Sequence, residues 1–152
     1  MESYNWQEIV PQLTQLLRLQ LPPVAIKWIE TEEELQQIPK LRLHEKHMPP
    51  CSIVGQAAQF NWTTACRSEN VHANYCRGIN GMFERDEKWY SGEMFNNVWF
   101  NNLVASKAHN RALNCMPPKY IAMAASPLVS GRIDPDVVAV YVSPAQAFLL
   151  LT

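Results

Sequence analysis

Apolar side chains recur at three- and four-residue steps through residues 4–20, at Trp6, Ile9, Val10, Leu13, Leu16, Leu17 and Leu19, and this period predicts an amphipathic helix. Pro11 interrupts the run, so the helix either kinks there or begins there with proline in its first turn. After Pro22-Pro23 the period shortens to two. In "VAIKWIE", Val24, Ile26 and Trp28 alternate with Ala25, Lys27 and Ile29, the pattern of a half-buried strand. Thr31 with Glu34 has the form of a capping box and opens a helix in "TEEELQQI". "PKLRLHEKHMPP" reads as a loop or short edge strand, and "CSIVGQAAQF" as a helix that starts at the Pro-Pro step and holds Cys51 in or near its first turn.

Further on, "RSENVHANYCRGINGMF" carries Ser68 as an N-cap and Gly78 as a stop, which predicts a short helix with His72 and Cys76 on one face. Phe95, Trp99 and Leu103 stand four apart, so "GEMFNNVWFNNLVASKAHNRALN" is expected to be the longest helix, with Asn96, Asn97, Asn101 and Asn102 on its wet side. "KYIAMAASPL" and "PDVVAVYVS" read as strands joined by the turn "SGRIDPD", and the second is so uniformly apolar that both its faces are expected to be covered. "SPAQAFLLLT" begins as a helix, with Ser143 as cap and Pro144 at the first helical position. Its apolar end, Phe148 to Leu151, requires cover inside the domain or against another chain. The order α, β, α, α, α, α, β, β, α defines an α+β (mixed α/β) class. The expectation is a single compact domain over residues 1–152 with a small sheet and several helices.

Composition supports one core, with 47% apolar residues in a chain of 152. Thirteen basic against fourteen acidic side chains leave a net charge of -1, which offers no broad face to a phosphate backbone, so nucleic acid is not an expected partner. "MESYNWQEIV" has neither a basic leader nor an apolar h-region, and no stretch approaches the roughly twenty apolar residues of a membrane span. A cytoplasmic protein is expected, and in that compartment its four cysteines are free, metal-bound or catalytic rather than paired in disulfides.

The chain has no phosphate-cradling loop with a lysine, no dinucleotide glycine fingerprint, no serine elbow and no Cys-x-x-Cys. "HEKH" misses the zinc-protease pattern, because His44 and His47 are three apart and two prolines follow. Three cysteines and a histidine remain close in sequence. Cys51, Cys66, His72 and Cys76 are soft ligands suited to zinc or an iron-sulfur cluster, although fourteen, five and three intervening residues match no standard finger or ferredoxin spacing. Cys51 at a helix start also suits a thiolate nucleophile, with His44 or His47 as its base. The blander alternative is that the thiols fill small gaps in the core, and Cys115, at a helix end before Pro117-Pro118, is read that way. His109 is expected on a solvated helix face, and the five tryptophans in the core.

"LPPVAIKW", "PPCSIVGQAAQF", "CRGINGMF" and "ASPLVSGRIDPDVVAVYVSPAQAFLL" follow one another over residues 19–151, and in this succession the chain resembles the uncharacterised ArCR family, domain of unknown function 169. The resemblance implies no assigned reaction. It gives weight to Cys51, and to Cys76 with Gly78, as cofactor-binding positions, and none to Cys66, His72 or Cys115. Members of the family usually continue past the "SPAQA" landmark, so the expectation is a short variant or a truncated product that lacks a ligand or a core wall. The function expected from all of this is a cytoplasmic, cysteine-dependent metal- or cofactor-binding protein, a redox enzyme or accessory subunit. Cys51, Cys66, His72 and Cys76 are its candidate metal ligands, and a second copy or another protein covers its apolar C-terminus. A metal-free thiol enzyme using Cys51, or a non-enzymatic ligand-binding or subunit-interface domain, is the alternative.

Overall fold

A computed structural model describes residues 4–151. Helix α1 (Trp6–Leu17) runs through Pro11 without ending there, and Arg18 closes it in the left-handed conformation. Strand β1 (Val24–Ile29) follows, and then α2 (Glu32–Gln36), whose cap Thr31 accepts a hydrogen bond from the Glu34 N–H. The Glu34 carboxylate reaches back to the N–H of Glu30, one residue before the capping-box partner. The basic loop contains a three-residue strand, β2 (Arg42–His44), and the Pro-Pro step opens α3 (Pro50–Phe60). Next comes β3 (Thr64–Arg67), a strand that the sequence pattern does not reveal.

The five described strands form one sheet in the order β2-β3-β4-β1-β5, with β4 at Ala122–Pro127 and β5 at Val137–Ala139. Only β2 and β3 run parallel; every other neighbouring pair is antiparallel. Pleating divides the side chains between two cores. Ala25, Ile29, Ala65, Ala122 and Ala124 face the side of α1 and α2 and meet Val10, Leu35 and Ile38. Val24, Ile26, Cys66, Met123 and Ala125 face the other side and meet Ile53, Ala57 and Ala58 of α3. Every residue of β4 is buried, and its alanines leave room for helices to approach both faces of the sheet. The result is one α+β domain.

The second core is extended by three further helices, α4 (Asn74–Ile79), α5 (Glu87–Ser91) and α6 (Leu103–Ala112). Residues 92–102 do not join α5 to α6 in one long helix. Gly92 is left-handed, Asn97 has φ +61°, and the Asn102 side chain caps α6 by accepting from the N–H groups of Val104 and Ala105. The face that α6 buries is polar. Ser106 Oγ donates to the Gly92 carbonyl at 2.7 Å and Asn110 Nδ2 to the Trp89 carbonyl at 2.9 Å, while Leu103 and Val104 stay exposed.

One expectation about the C-terminal part is corrected, and of the two covers expected for its apolar end the one inside the domain is not found. Strand β5 covers three residues at the sheet edge and is half-exposed, so the run after it is apolar without being enclosed. Helix α7 (Pro144–Leu151) starts at Pro144 with Ser143 as its cap, as its sequence predicts, and Gln146 makes that cap reciprocal, but the helix buries none of its side chains. Gln146 Nε2 ties it to the Leu17 and Arg18 carbonyls at the end of α1, leaving Phe148, Leu149 and Leu151 in solvent. Among the described residues no helix is long and apolar enough to cross a membrane.

Candidate functional site

A short parallel bridge between Met48 and Val71 organises the thiols. The Met48 N–H donates to the Asn70 carbonyl at 2.9 Å, the His72 N–H donates to the Met48 carbonyl at 3.0 Å, and Asn70 Nδ2 donates to the His44 carbonyl at 3.1 Å. From this bridge the chain enters α3 on one side and α4 on the other. Cys51 lies three residues beyond Met48, in the first turn of α3, and Cys76 lies five residues beyond Val71, on α4. Cys51 is exposed and Cys76 half-buried.

Burial pushes the Cys76 thiol above its ordinary value, and negative charge on Cys51 pushes it further. The backbone of Cys76 is held firmly. Its carbonyl accepts from Asn80 Nδ2 at 2.8 Å, and Asn80 Oδ1 accepts in turn from the Trp28 indole at 3.0 Å. Next to it, the Tyr75 hydroxyl is raised by burial first and then by Cys115 and Cys76, and it shares a 2.8 Å hydrogen bond with His109 Nε2. Tyr75 and His109 are thus held together by a hydrogen bond and near-parallel rings, with centroids 6.0 Å apart.

The other candidates fall elsewhere. Cys66 is fully buried on β3 among Ile53, Val71 and Met123, and burial pushes its thiol from 9.0 up to about 11. It stays a protonated core side chain, which suits neither a thiolate ligand nor a nucleophile. His72 is exposed and precedes the first turn of α4, because residues 68–70 form a separate 3-10 turn and Ala73 is the cap; the shared helical face with Cys76 does not exist. Gly78 is buried, and an added Cβ would run into the Trp89 ring, so its lack of a side chain serves packing. The His44 imidazole is engaged by Gln56 Oε1 at 2.8 Å. Among the described residues no three His, Cys, Asp or Glu side chains converge as a metal-binding group, so the four-ligand set is not assembled by this fold.

Tyr75 and His109, and the place of Cys115 beside them, escape sequence reasoning. They are 34 residues apart in the hydrogen bond that joins them, and no local spacing marks the pair. His109 is partly buried against Phe100, with ring centroids 4.9 Å apart, instead of facing solvent.

The state of Cys66 has a measurable consequence. The unfolded chain releases this proton near pH 9 and the folded chain holds it to about 11, so the folded state binds more protons across that window and stability falls as pH rises through it. The contribution present below pH 9 is on the order of 2–3 kcal/mol. Urea unfolding at pH 8 and pH 11 should show that loss in the wild type and a clearly smaller one in Cys66→Ala, in which the other raised groups still titrate.

The fold defines a class: an α+β domain with an exposed cysteine in the first turn of α3 and a half-buried one on α4. The chain belongs to the uncharacterised ArCR family, domain of unknown function 169, whose model matches residues 12–152. No curated protein and no solved structure significantly matches the chain.

Proposed function

We propose that the protein is a cytoplasmic, cysteine-dependent binding protein in which Cys51 and Cys76 supply two thiolates to one soft metal ion or metal cluster, and that it serves as a redox enzyme or its accessory subunit. The observation that carries this reading is the Met48–Val71 bridge, from which one arm reaches Cys51 in the first turn of α3 after three residues and the other reaches Cys76 on α4 after five. Two thiolates occupy half of a tetrahedral zinc or iron site and leave the remaining positions to substrate, water or another chain. Exposure of Phe148, Leu149 and Leu151 on α7 supports a second copy or a partner protein as part of the working assembly.

The test is elemental analysis and a visible spectrum of protein purified without air, followed by the same measurements on Cys51→Ala, Cys76→Ala and Cys66→Ala. The expected result is bound zinc or iron in the wild type, lost by about tenfold or more in either of the first two variants and kept in the third. Metal-free wild type that also fails to take up zinc or ferrous iron added under reducing conditions sinks the reading. A metal-free thiol enzyme is the second reading, favoured by the exposure of Cys51 to any approaching electrophile. Selective alkylation of Cys51 in metal-free protein, faster than that of Cys115, is its signature.

A further inference from the structure

A cavity of about 330 Å³ opens between the end of α5 and the end of α6, and neither Cys51 nor Cys76 lines it. Arg85, Arg111, Tyr90, Asn110, Asn114 and Trp89 line it together with Cys115, and no carboxylate does. Arg85 is fixed in place: Nη1 donates to the Gly78 carbonyl at 2.7 Å and the Met116 carbonyl at 3.0 Å, and Nε donates to the Tyr90 hydroxyl at 3.3 Å. Arg111 is steadied through Nε, which donates to the Tyr90 carbonyl at 3.3 Å. Among the described residues neither guanidinium pairs with an acid. Of the two carboxylates adjacent to Arg85 in sequence, Asp86 accepts from the Trp89 N–H as the cap of α5, and Glu84 makes no ion pair with Arg85. Two preorganised cations with donors to spare and no counter-ion make a receptor for a planar anion.

Two residues of the same lining each carry a buried polar atom without a partner. Asn110 is 1% exposed and its Oδ1 has no partner, and the fully buried Trp89 leaves its Nε1–H without an acceptor. One is an acceptor lacking a donor, the other a donor lacking an acceptor, and leaving either unpaired is costly. A hydroxyl group can serve both. An ammonium group cannot accept, and it would also lie beside two guanidiniums without any acid to balance it. Helix α6 ends at Ala112, between the lining residues Arg111 and Leu113, and the negative end of its dipole opposes an anion there, so the two guanidiniums have to outweigh it and no cation is left over for a second anionic group.

We propose that this cavity binds a small hydroxycarboxylate, its carboxylate held by Arg85 and Arg111 and its hydroxyl seated against Asn110 and Trp89. The site is built from guanidiniums and a polar floor, and it stands whether or not the cysteines hold a metal.

L-lactate is the probe, titrated into the full chain while the Trp89 indole and Asn110 side-chain amide resonances are followed by NMR. Saturable shifts of both signals are expected. Propionate, which lacks the hydroxyl, should bind about tenfold more weakly, as loss of a hydrogen bond in a charged site implies. Arg111→Gln changes an exposed side chain at the helix end, so its spectrum elsewhere should match the wild type while lactate binding weakens about tenfold or more, with Arg111→Lys in between. A Cys51→Ala/Cys76→Ala double variant should respond to lactate as the wild type does, which separates this proposal from the thiol reading. Absence of a saturable shift overturns it. Equal affinity for propionate removes the hydroxyl from the assignment, and equal affinity for inorganic phosphate reduces the site to a general oxyanion cradle; either result overturns the proposal as stated.

Discussion

Trp89→Ala should lower the free energy of unfolding by about 3–5 kcal/mol, the range for deleting a fully buried indole, measured as a shift of the urea midpoint at constant slope. Trp89 is 0% exposed and is the centre around which the helices after β3 assemble. Its ring stacks with Tyr75 at 5.9 Å between centroids, meets Phe95 edge-on at 5.3 Å and Phe83 at 6.1 Å, and packs over Gly78. Its carbonyl accepts from Asn110 and from the Gly92 N–H. Truncation leaves a cavity walled by rings too rigid to collapse into it, while Trp89→Phe should retain well over half of the loss. A cost below about 1 kcal/mol for the alanine variant would mean that α4, α5 and α6 are held together by something other than this ring.

Gly81→Ala is expected to cost roughly 3 kcal/mol, a large effect for one methyl group. Gly81 has φ +63°, where a side chain is strained, and an added Cβ would collide with the Pro117 carbonyl, which is main chain and cannot swing aside. The same glycine joins two distant segments, since its own carbonyl accepts from the N–H groups of both Lys119 and Tyr120 at 3.0 Å. Moving Pro117 to admit the methyl group would break that junction, which leads directly into β4. Thermal denaturation compared with Gly55→Ala serves as the check, because Gly55 has open space around its Cβ position and lies inside α3, where alanine is the better helix former. The first variant should melt well below the wild type and the second at or above it.

Elements whose signals are local were legible in the sequence. The Pro-Pro step before α3, the Thr31 cap of α2 and the Ser143-Pro144 start of α7 each depend on a few adjacent residues, and each is found where the pattern puts it; β1 also stands where its alternation puts it, but with both faces covered instead of half-buried. What failed depends on partners far along the chain. "TTACR" has no alternation because both its faces are covered, so β3 is specified by its neighbours β2 and β4 and not by its own pattern. The stripe of Phe95, Trp99 and Leu103 suggested one helix because aromatic side chains four apart look like a buried face. The actual buried face of α6 is Ser106 and Asn110, two residues that look solvent-facing until the carbonyls of Gly92 and Trp89 are placed opposite them.

For the candidate site, the helix start marked Cys51, while Cys66 and His72 matched a ligand set in type without matching it in place. Residue type is visible in a sequence; the pH at which a buried thiol ionises is not, because it depends on the surroundings that exclude water. Gly78 was a real signal with a different cause, since a glycine required by a neighbouring indole looks the same in sequence as one required by a ligand.

The Met48–Val71 bridge fixes the origin from which both sulfur-bearing segments are counted. Each residue turns an α-helix by about 100°, so gaining or losing a single position between either bridge residue and its cysteine would swing that sulfur to another side of its helix. On the function proposed above, a shared site is encoded as two intervals, three positions on one arm and five on the other, more than in the identity of what fills them. On that reading, a related sequence that keeps both cysteines but alters one interval has lost the arrangement, however similar it looks elsewhere.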